Sequence, residues 1–309
     1  MQTIVGVLRG GSSREHDASL KTGASILGHL PEEKFAVRDV YIDRKGVWHD
    51  RGRPTTPERV LRQVDVAVIG LHGEDGQVQR LLERFGVPYT GADSFGSYLA
   101  MHTLMAKVKA REAGFLTPEF RYVEEADDID SVAREVTRSF HQPVVMKPVG
   151  RGSSVGTTVV GGFAPIRESL TKLRDGGAFA ILIEEFVRGK DATVGIIENV
   201  RGEALYALPA VEVAAPLEAS GRAANHVVPG NFTRVEAEEL ASTAKRMHRE
   251  LGLRHYSRSD FIVTSRGVYY LGTDALPAVG PGTPFGKALE SVGIPLRDFY
   301  SHLVRMALG

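Results

Sequence analysis

The sequence of 309 residues contains no cysteine. This absence excludes disulfides, thiolate metal sites and cysteine nucleophiles, and it agrees with a reducing compartment. The chain also lacks net charge, because 38 basic side chains balance 38 acidic ones, so we expect neither nucleic acid nor an anionic membrane as a partner. No apolar run approaches bilayer length, and the short run after Met1 predicts a first strand rather than a signal peptide. We therefore expect a cytoplasmic protein.

Two phosphate-binding patterns are missing as well. The chain has no Walker pattern and no Gly-x-Gly-x-x-Gly sequence at the start of a helix, and the second absence argues against a dinucleotide-dependent dehydrogenase. Glycine itself is abundant, with 34 residues that cluster in short segments rather than repeating at a fixed period. These clusters are where we look for candidate sites.

The length of the chain predicts two or three domains, each large enough to bury its own core. In the first third, apolar runs alternate with amphipathic segments, which predicts a parallel sheet covered by helices. One long helix is predicted over residues 95–113, and strands dominate after Ala180. We predict an α/β protein with three domains, at residues 1–94, 95–182 and 183–309.

The glycine-rich segment at residues 147–156 has the composition of a phosphate-binding loop. Lys147 ends an apolar strand, and the loop that follows contains Ser153 and Ser154. Amide and hydroxyl groups can wrap phosphate oxygens while a lysine neutralises their charge. Taken alone, the segment is equally compatible with an exposed turn between two strands.

Two acidic residues end a later strand. Glu184 and Glu185 follow an apolar run, and they could accept hydrogen bonds from an adenine amino group and from ribose hydroxyls. This signal is weak in isolation, because adjacent glutamates at a strand end are more often simply solvated.

A hairpin is predicted around residues 265–267. If these residues form a three-residue loop, Thr264 pairs with Val268, and Asp260 then lies directly opposite Gly272. Because successive side chains point to opposite sides of a strand, the hairpin has two faces. The polar face carries Arg258, Asp260, Gly272 and Asp274, and the other face carries Phe261, Val263, Tyr269 and Leu271.

The polar face of this hairpin is a candidate metal and substrate site. Two carboxylates and a guanidinium can hold a magnesium ion and a charged substrate oxygen, because magnesium takes a few carboxylate and phosphate oxygens and keeps water for the rest. The alternative is an ordinary surface salt bridge between Arg258 and an aspartate.

Two further candidates follow strands in the first third. Glu15 lies after the glycines of the first strand-to-helix turn and could bind a ligand ammonium, or it could be a favourable charge in the first turn of a helix. His72 follows another strand and could face the same crevice, since ligands of such sheets bind beyond the carboxyl ends of the strands. A plain strand-to-helix turn is the alternative for His72.

Taken together and in order, these segments resemble the D-alanine-D-alanine ligase family of the ATP-grasp superfamily, over essentially the whole chain. Several ordered motifs are far more specific than any one of them. In chain order they are residues 10–16 (GGSSREH) with Ser19, Leu20 and Gly23; residues 72–76 (HGEDG) with Gln79; residues 88–91 (PYTG); Lys147-Pro148 with residues 152–156 (GSSVG); Glu184-Glu185; and Arg258 with Asp260.

The resemblance implies a three-domain ATP-grasp fold with a Rossmann-like N-terminal domain. It also implies a reaction in which one D-alanine carboxylate attacks the γ-phosphate of ATP and the amine of a second attacks the acyl phosphate. The implied cofactors are ATP and Mg²⁺ or Mn²⁺, the substrates are D-alanine or related small amino acids, and the product is a peptidoglycan precursor. A homodimer through the N-terminal domain is expected on the same basis.

The resemblance also implies roles for individual residues. Glu15, Ser153 and Arg258 are the implied catalytic residues, with Glu15 on the first substrate's ammonium and Arg258 on the developing oxyanion. The other implied roles are nucleotide binding by Lys107, Lys147, Ser153, Ser154, Glu184, Glu185, Val187 and Asp191; substrate binding by His72 and Thr283 as well as Glu15 and Arg258; and metal binding by Asp260 and Asp274.

The chain departs from the family pattern at the metal site. Gly272 stands where the family has a bridging glutamate, and Asp274 stands where it has an asparagine. Two negative charges are therefore retained while the shared bridge is lost, and we hypothesise weaker or single-metal binding. The family's mobile loop, with its tyrosine and lysine, aligns with residues 214–222, which are fewer and contain neither.

Two hypotheses follow for the function. The first is an ATP-dependent carboxylate-amine ligase, and the second is a non-catalytic relative that binds nucleotide or amino acid or only keeps the fold. Gly272 favours the second hypothesis. The retention of charged groups such as Glu15, Lys147 and Arg258 favours the first, because a drifting relic has no physical need for them.

Overall fold

The computed structural model describes residues 2–73, 76–149, 156–214 and 225–309. In these residues the strands form three sheets, and the helices cover them in layers, as the α/β pattern predicted. No helix in the described part of the chain is long and apolar enough to span a membrane.

The first sheet has the strand order β4-β3-β2-β1-β5. Its centre is parallel, as predicted, and is made of β1 (Thr3–Gly10), β2 (Phe35–Ile42) and β5 (Val66–Ile69). The sequence did not predict its antiparallel edge, because β3 (Trp48–Asp50) and β4 (Arg53–Thr55) are each only three residues long. The helices of this unit are α1 (His16–His29), α2 (Pro57–Leu61) and α3 (Gln77–Phe85).

A tight turn carries the chain from β1 into α1. Gly10 has a φ of 93°, and a Cβ at this position would lie 2.2 Å from the carbonyl oxygen of Ile42. Only glycine fits here, because both the left-handed backbone and the close neighbour exclude a side chain. The turn places Glu15 at the start of α1, beyond the carboxyl end of the strand.

The second sheet has the order β6-β9-β7-β8 and a core of its own. Its strands are β6 (Phe120–Glu124), β7 (Val144–Pro148), β8 (Thr158–Val160) and β9 (Ala180–Glu185), and its helices are α6 (Ile129–Ser139) and α7 (Phe163–Asp175). Strand β9 continues past residue 182, where we predicted a domain boundary, so the whole of β9 belongs to this sheet.

The third sheet has the order β13-β12-β10-β14-β15, with β11 paired to β10. Its strands are β10 (Lys190–Val200), β11 (Glu203–Ala207), β12 (Val211–Ala214), β13 (Asn225–Val227), β14 (Tyr256–Thr264) and β15 (Gly267–Asp274). Its associated helices are α4 (Ser94–Met101), α5 (Thr103–Glu112), α8 (Arg234–Glu250) and α9 (Pro284–Ser291), whereas α10 (Leu296–Leu308) packs against α1 and β5 of the first unit.

The single long helix predicted over residues 95–113 is wrong. The structure has two helices, α4 and α5, separated by His102, whose φ of −83° and ψ of 88° are not helical. Neither glycine nor proline marks this break, so the local sequence could not show it. Both helices pack against β15, which is the tertiary context that overrides the continuous helical pattern.

The predicted hairpin loop is wrong by one residue, yet the important pairing is confirmed. Thr264 pairs with Gly267, so the loop has two residues rather than three. The register then shifts between Asp260 and Phe261, where Leu271 is an extra residue in β15. This β-bulge compensates for the shorter loop, and Asp260 still lies opposite Gly272.

The bulge also corrects the predicted apolar face. Phe261 pairs with Tyr270, and Val263 pairs with Val268, so Tyr270 and Val268 face the core in place of the predicted Tyr269 and Leu271. All four core-facing side chains are buried in the layer under α8: Phe261, Val263, Val268 and Tyr270. A one-residue shift moves every later side chain to the other face, so the local alternation gave the wrong set for β15.

One apolar core joins the first sheet to the third. It contains residues of β1 and β5, such as Val7 and Val68, together with Leu276, Phe285 and Phe299 from the segments that follow β15. The second sheet has a separate core. The first and third units are therefore packed as one body, with a crevice at their shared edge.

A buried histidine fixes the junction between these units. His255 adopts a φ of 65°, its Nδ1 accepts a hydrogen bond from the amide of Gly91 at 3.0 Å, and its own amide donates to Glu198 at 2.6 Å. Burial and the neighbouring charge of Arg254 lower the pKa of His255 to about 4, against an opposing effect of Glu198. His255 is therefore neutral in the folded protein near pH 7.

We predict that His255 lowers the free energy of unfolding as the pH falls. Between pH 6.5 and about 4 the unfolded chain binds a proton at this residue that the folded chain refuses, so the free energy of unfolding decreases through this window. The His255→Asn variant keeps an acceptor and tolerates positive φ. Between pH 6.5 and about 4, we expect urea unfolding to show a decrease in the free energy of unfolding that is roughly 2 to 3 kcal/mol smaller for His255→Asn than for the wild type. An equal pH dependence of the two proteins would contradict the assignment.

Candidate active site

Arg258 lies in the crevice between two aspartates of the third sheet. Its Nη2 is 3.3 Å from Oδ2 of Asp260 and 3.8 Å from Oδ2 of Asp274. The strand register explains this, because Arg258 lies opposite Asp274 and Asp260 lies two residues along the same strand. Asp260, followed by Asp274, raises the pKa of Arg258 despite the opposing effect of burial, so the guanidinium stays charged.

One nitrogen of this guanidinium makes no hydrogen bond. The buried Nε of Arg258 lies 3.3 Å from Oδ1 of Asp260, close enough for an ion pair, but among the described residues no acceptor is aligned for a hydrogen bond with it. A buried donor without a hydrogen bond is unfavourable. A guanidinium held by two carboxylates in this way is a charged donor group of the kind that stabilises a developing oxyanion.

Glu15 faces the same group of charges from the first sheet. It is half-buried at the start of α1, and burial followed by Asp274 raises the pKa of its carboxyl, while His72 and Arg258 act in the opposite direction. These mutual effects put the four side chains within electrostatic range of one another. The structure thus brings together the predicted Glu15, His72, Arg258 and Asp274.

His72 is buried, and both of its ring nitrogens have protein partners. Nδ1 lies 2.9 Å from the carbonyl oxygen of Leu276, and Nε2 lies 2.7 Å from the hydroxyl of Thr22. Ser13 and Ser19 hold the backbone of His72 through their hydroxyls. Sequence reasoning missed the partners on α1, although Ser19 and Thr22 are three residues apart and so share a helix face.

Thr283, predicted to bind a substrate carboxylate, is the N-terminal cap of α9. Its hydroxyl accepts from the amide of Gly286 at 3.0 Å and donates to the carbonyl of Gly280 at 2.9 Å. The hydroxyl proton is thus directed to the protein in this structure. The amino-terminal end of α9 nevertheless offers a favourable potential for an anion.

The two residues predicted to bind metal are carboxylates with open space beside them. Asp260 and Asp274 are partly exposed, and a Cβ added at Gly272 would meet no described atom within 4 Å. No group of three or more metal-binding side chains occurs in the described ranges. The two aspartates fit one magnesium ion completed by nucleotide phosphates and water, but the chain offers no carboxylate at Gly272 to bridge a second ion.

The predicted nucleotide residues meet at one buried carboxylate. Glu184 forms ion pairs with both Lys107 and Lys147, and Lys107 also donates to the hydroxyl of Thr117 at 2.9 Å. Burial lowers the pKa of Lys107 to about 8, and Glu184 counteracts this effect. Burial opposes the ionisation of Glu184 as well, yet the two lysines hold its pKa below the usual range.

The remaining nucleotide residues lie nearby on the chain. Asp191 is near the start of β10, and burial followed by Asp260 raises its pKa. Val187 is buried, and Glu185 pairs with Arg266 at 3.3 Å. The predicted Ser153 and Ser154 lie outside the described residues, as does nearly all of the loop predicted at residues 214–222.

Comparison with known families agrees with this geometry. The family described as "D-ala D-ala ligase C-terminus" matches residues 110–305, and the one described as "D-ala D-ala ligase N-terminus" matches residues 4–60. The chain belongs to the D-alanine-D-alanine ligase family. The ligase of Desulforudis audaxviator (strain MP104C) is 31% identical over 307 residues, which are 98% of each chain. That of Geobacter sulfurreducens is 33% identical over 309 residues, covering 98% of this chain and 93% of the relative.

Solved structures share the fold. D-alanyl-alanine synthetase A from Vibrio cholerae superimposes with a TM-score of 0.87 at 23% identity, covering 99% of this chain and 98% of the other. The D-alanine-D-alanine ligase from Bacillus anthracis, solved with ATP, gives 0.82 at 21% identity and covers 99% and 97%. These likenesses confirm the predicted fold of the ligase family.

We predict that Glu184 is essential for stability. The Glu184→Gln variant leaves the buried ammonium of Lys107 without its carboxylate, and we expect the free energy of unfolding to fall by about 3 kcal/mol. The adjacent Glu185→Gln variant is the matched control. Its partner Arg266 has a side chain that is 63% exposed, so the ion pair is screened by solvent and we expect a change below about 1 kcal/mol. Urea denaturation of both variants measures the difference, and equal losses would contradict the assignment.

Proposed function

We propose that this protein is an ATP-dependent carboxylate-amine ligase that joins two D-alanines, or related small amino acids, for peptidoglycan precursor synthesis. Relatives named as D-alanine-D-alanine ligases match it over nearly its whole length. The observation that carries the proposal is the convergence of Glu15, Arg258, Asp260 and Asp274 in one crevice. We propose the cytoplasm as its compartment, since the reaction consumes ATP.

The first step is phosphoryl transfer. A carboxylate oxygen of the first amino acid attacks the γ-phosphorus, the bond to the bridging oxygen breaks, and ADP leaves. Such transfer depends mainly on positioning and charge neutralisation. We propose that Lys107 and Lys147 supply the positive charge by exchanging contacts with Glu184 for contacts with phosphate, and that Glu184, Glu185, Val187 and Asp191 hold adenine and ribose. Ser153 and Ser154 are proposed for the covering loop.

The second step forms the C-N bond. The free amine of the second amino acid attacks the acyl carbon, phosphate leaves, and the amine loses a proton. We propose that Arg258 stabilises the oxyanion, because its guanidinium stays charged between Asp260 and Asp274 and its Nε makes no hydrogen bond among the described residues. We propose that Glu15 holds the first substrate's ammonium, and that Thr283, at the start of α9, lies near the second substrate's carboxylate.

We propose Asp260 and Asp274 as the ligands of one Mg²⁺ or Mn²⁺ ion. Such an ion would neutralise phosphate charge during the transfer. The two carboxylates lie on neighbouring strands with open space at Gly272 between them. Arg258 lies against the same carboxylates, so part of their charge is already balanced by the protein.

We propose a homodimer as the assembly. The exposed apolar side chains of α4 and α5 are Phe95, Tyr98, Met105 and Val108. These helices follow the N-terminal unit, through which the resemblance implied the dimer. A cluster of large exposed apolar side chains on a globular protein marks an interaction surface. A second copy of the chain would cover this face.

We predict turnover by the wild-type chain and tighter metal binding by Gly272→Glu. With ATP, Mg²⁺ and D-alanine, we expect phosphate release and a product with the mass of the dipeptide. A Cβ at residue 272 meets no described atom within 4 Å, and a glutamate there adds a ligand, so the magnesium concentration for half-maximal ATP affinity should fall severalfold. Gly272→Gln is the control, because it adds a side chain of nearly the same volume that carries no charge. No product and no ATP binding from either chain would instead support a non-catalytic relative.

We predict that Phe95→Glu gives a monomer. The wild type should sediment at twice the chain mass of 33.6 kDa, and a charge at Phe95, which is 69% exposed, should disrupt the dimer while leaving the melting temperature of the monomeric fold unaffected. Val235 is 72% exposed at the far end of α8, so Val235→Glu is the control and should remain dimeric. A monomeric wild type would refute the assembly.

A further inference from the structure

Four hydrogen bonds hold His72: three with side chains of the first unit and one with the carbonyl of Leu276 across the crevice. Its amide donates to the Ser19 hydroxyl at 2.8 Å, and its carbonyl accepts from the Ser13 hydroxyl at 2.6 Å. The ring binds Thr22 through Nε2 and Leu276 through Nδ1. A turn that follows a strand does not by itself require four hydrogen bonds at one residue.

The partners of the ring determine where its proton lies. The Leu276 carbonyl can only accept, so Nδ1 carries a hydrogen, whereas the Thr22 hydroxyl can either donate to Nε2 or accept from it. Both ring nitrogens of His72 are therefore engaged by the protein. A direct hydrogen bond to a substrate would require breaking one of these two buried contacts.

The Leu276 contact continues to the catalytic arginine. The amide of Leu276 donates to Oδ1 of Asp274 at 3.0 Å, and the other oxygen of Asp274 lies 3.8 Å from Nη2 of Arg258. The turn after β15 thus binds His72 through its carbonyl and Asp274 through its amide. Asp274 in turn holds one side of the guanidinium, and Asp260 holds the other.

The same turn is wedged against the first unit by packing. Leu276 is buried in the core shared by the first and third sheets, and its Cδ2 lies 2.5 Å from where a Cβ of Gly91 would be. The turn therefore has an apolar anchor beside the polar one. The apolar anchor sets its position, and the hydrogen bond from His72 sets the orientation of its peptide group.

We infer that His72 is a positioning residue, which holds the turn at Leu276 and thereby orients Asp274 and aims Arg258 at the oxyanion. The inference rests on the proposed ligase function. It assigns to His72 a role through Leu276 in place of the substrate contact that the family resemblance implies. It also makes the position of the first unit part of the catalytic geometry.

Two substitutions of His72 separate these roles. The amide nitrogen of asparagine lies near the position of Nδ1, whereas that of glutamine lies nearer Nε2, so His72→Asn keeps the donor to Leu276 and His72→Gln loses it. We expect His72→Asn to keep kcat within a few-fold. We expect His72→Gln to lose kcat by on the order of tenfold to a hundredfold with the KM for ATP unchanged, because a misplaced catalytic group costs this much.

Thr22→Val is the matched control, since it removes only the partner of Nε2, and it should resemble His72→Asn. Equal losses in both His72 variants, together with a raised KM for D-alanine, would overturn the inference in favour of a direct substrate contact. Full activity in both variants would overturn it as well.

A readout without turnover separates this inference from the proposed function. In wild-type protein labelled with ¹⁵N-histidine, His72 should show a proton on Nδ1, both with and without D-alanine, and His72→Asn identifies its signals. A ring without a proton on Nδ1 would overturn the inference even in an active enzyme. If the wild type shows the Nδ1 proton but makes no product, the proposed function fails while the contact to Leu276 stands.

Discussion

Arg258 lies in the crevice with its guanidinium against Asp260 and Asp274, and a charge at this depth is stable only while opposite charges remain beside it. Much of the third sheet serves this requirement. The hairpin of β14 and β15 must keep Asp274 opposite Arg258, and the bulge at Leu271 preserves that pairing. The aspartates thus compensate the charge of the guanidinium, while its buried Nε, 3.3 Å from Oδ1 of Asp260, makes no hydrogen bond among the described residues.

The same principle organises the nucleotide side. Glu184 is buried between Lys107 and Lys147, which come from α5 and from β7 of the second sheet. The ion pairs therefore link a helix of the third sheet's layer to the second sheet, whose apolar core is separate. A phosphate that draws the lysines away from Glu184 would act on the contact between these units, so the proposed nucleotide binding would be physically coupled to the position of the second sheet.

The sequence predicted the pairing of Asp260 with Gly272, but by two errors that cancel. The loop is shorter than the alternation indicated, and the bulge adds one residue back, so the polar face was right while Tyr269 and Leu271 were assigned to the wrong side. The break at His102 was also missed, because neither glycine nor proline marks it. In each case the local pattern was compatible with two arrangements, and packing against β15 and α8 selected one.

The sequence by itself determined the α/β layers and the order of the motifs, because side-chain periodicity and turn residues act over a few neighbouring positions. It also determined the loss of the bridging carboxylate at Gly272. Only the tertiary structure decided that His72 binds Leu276, 204 residues further along the chain, and that two lysines share Glu184. Partners of this kind depend on which buried donor meets which acceptor when separate sheets pack, and no local pattern encodes that meeting.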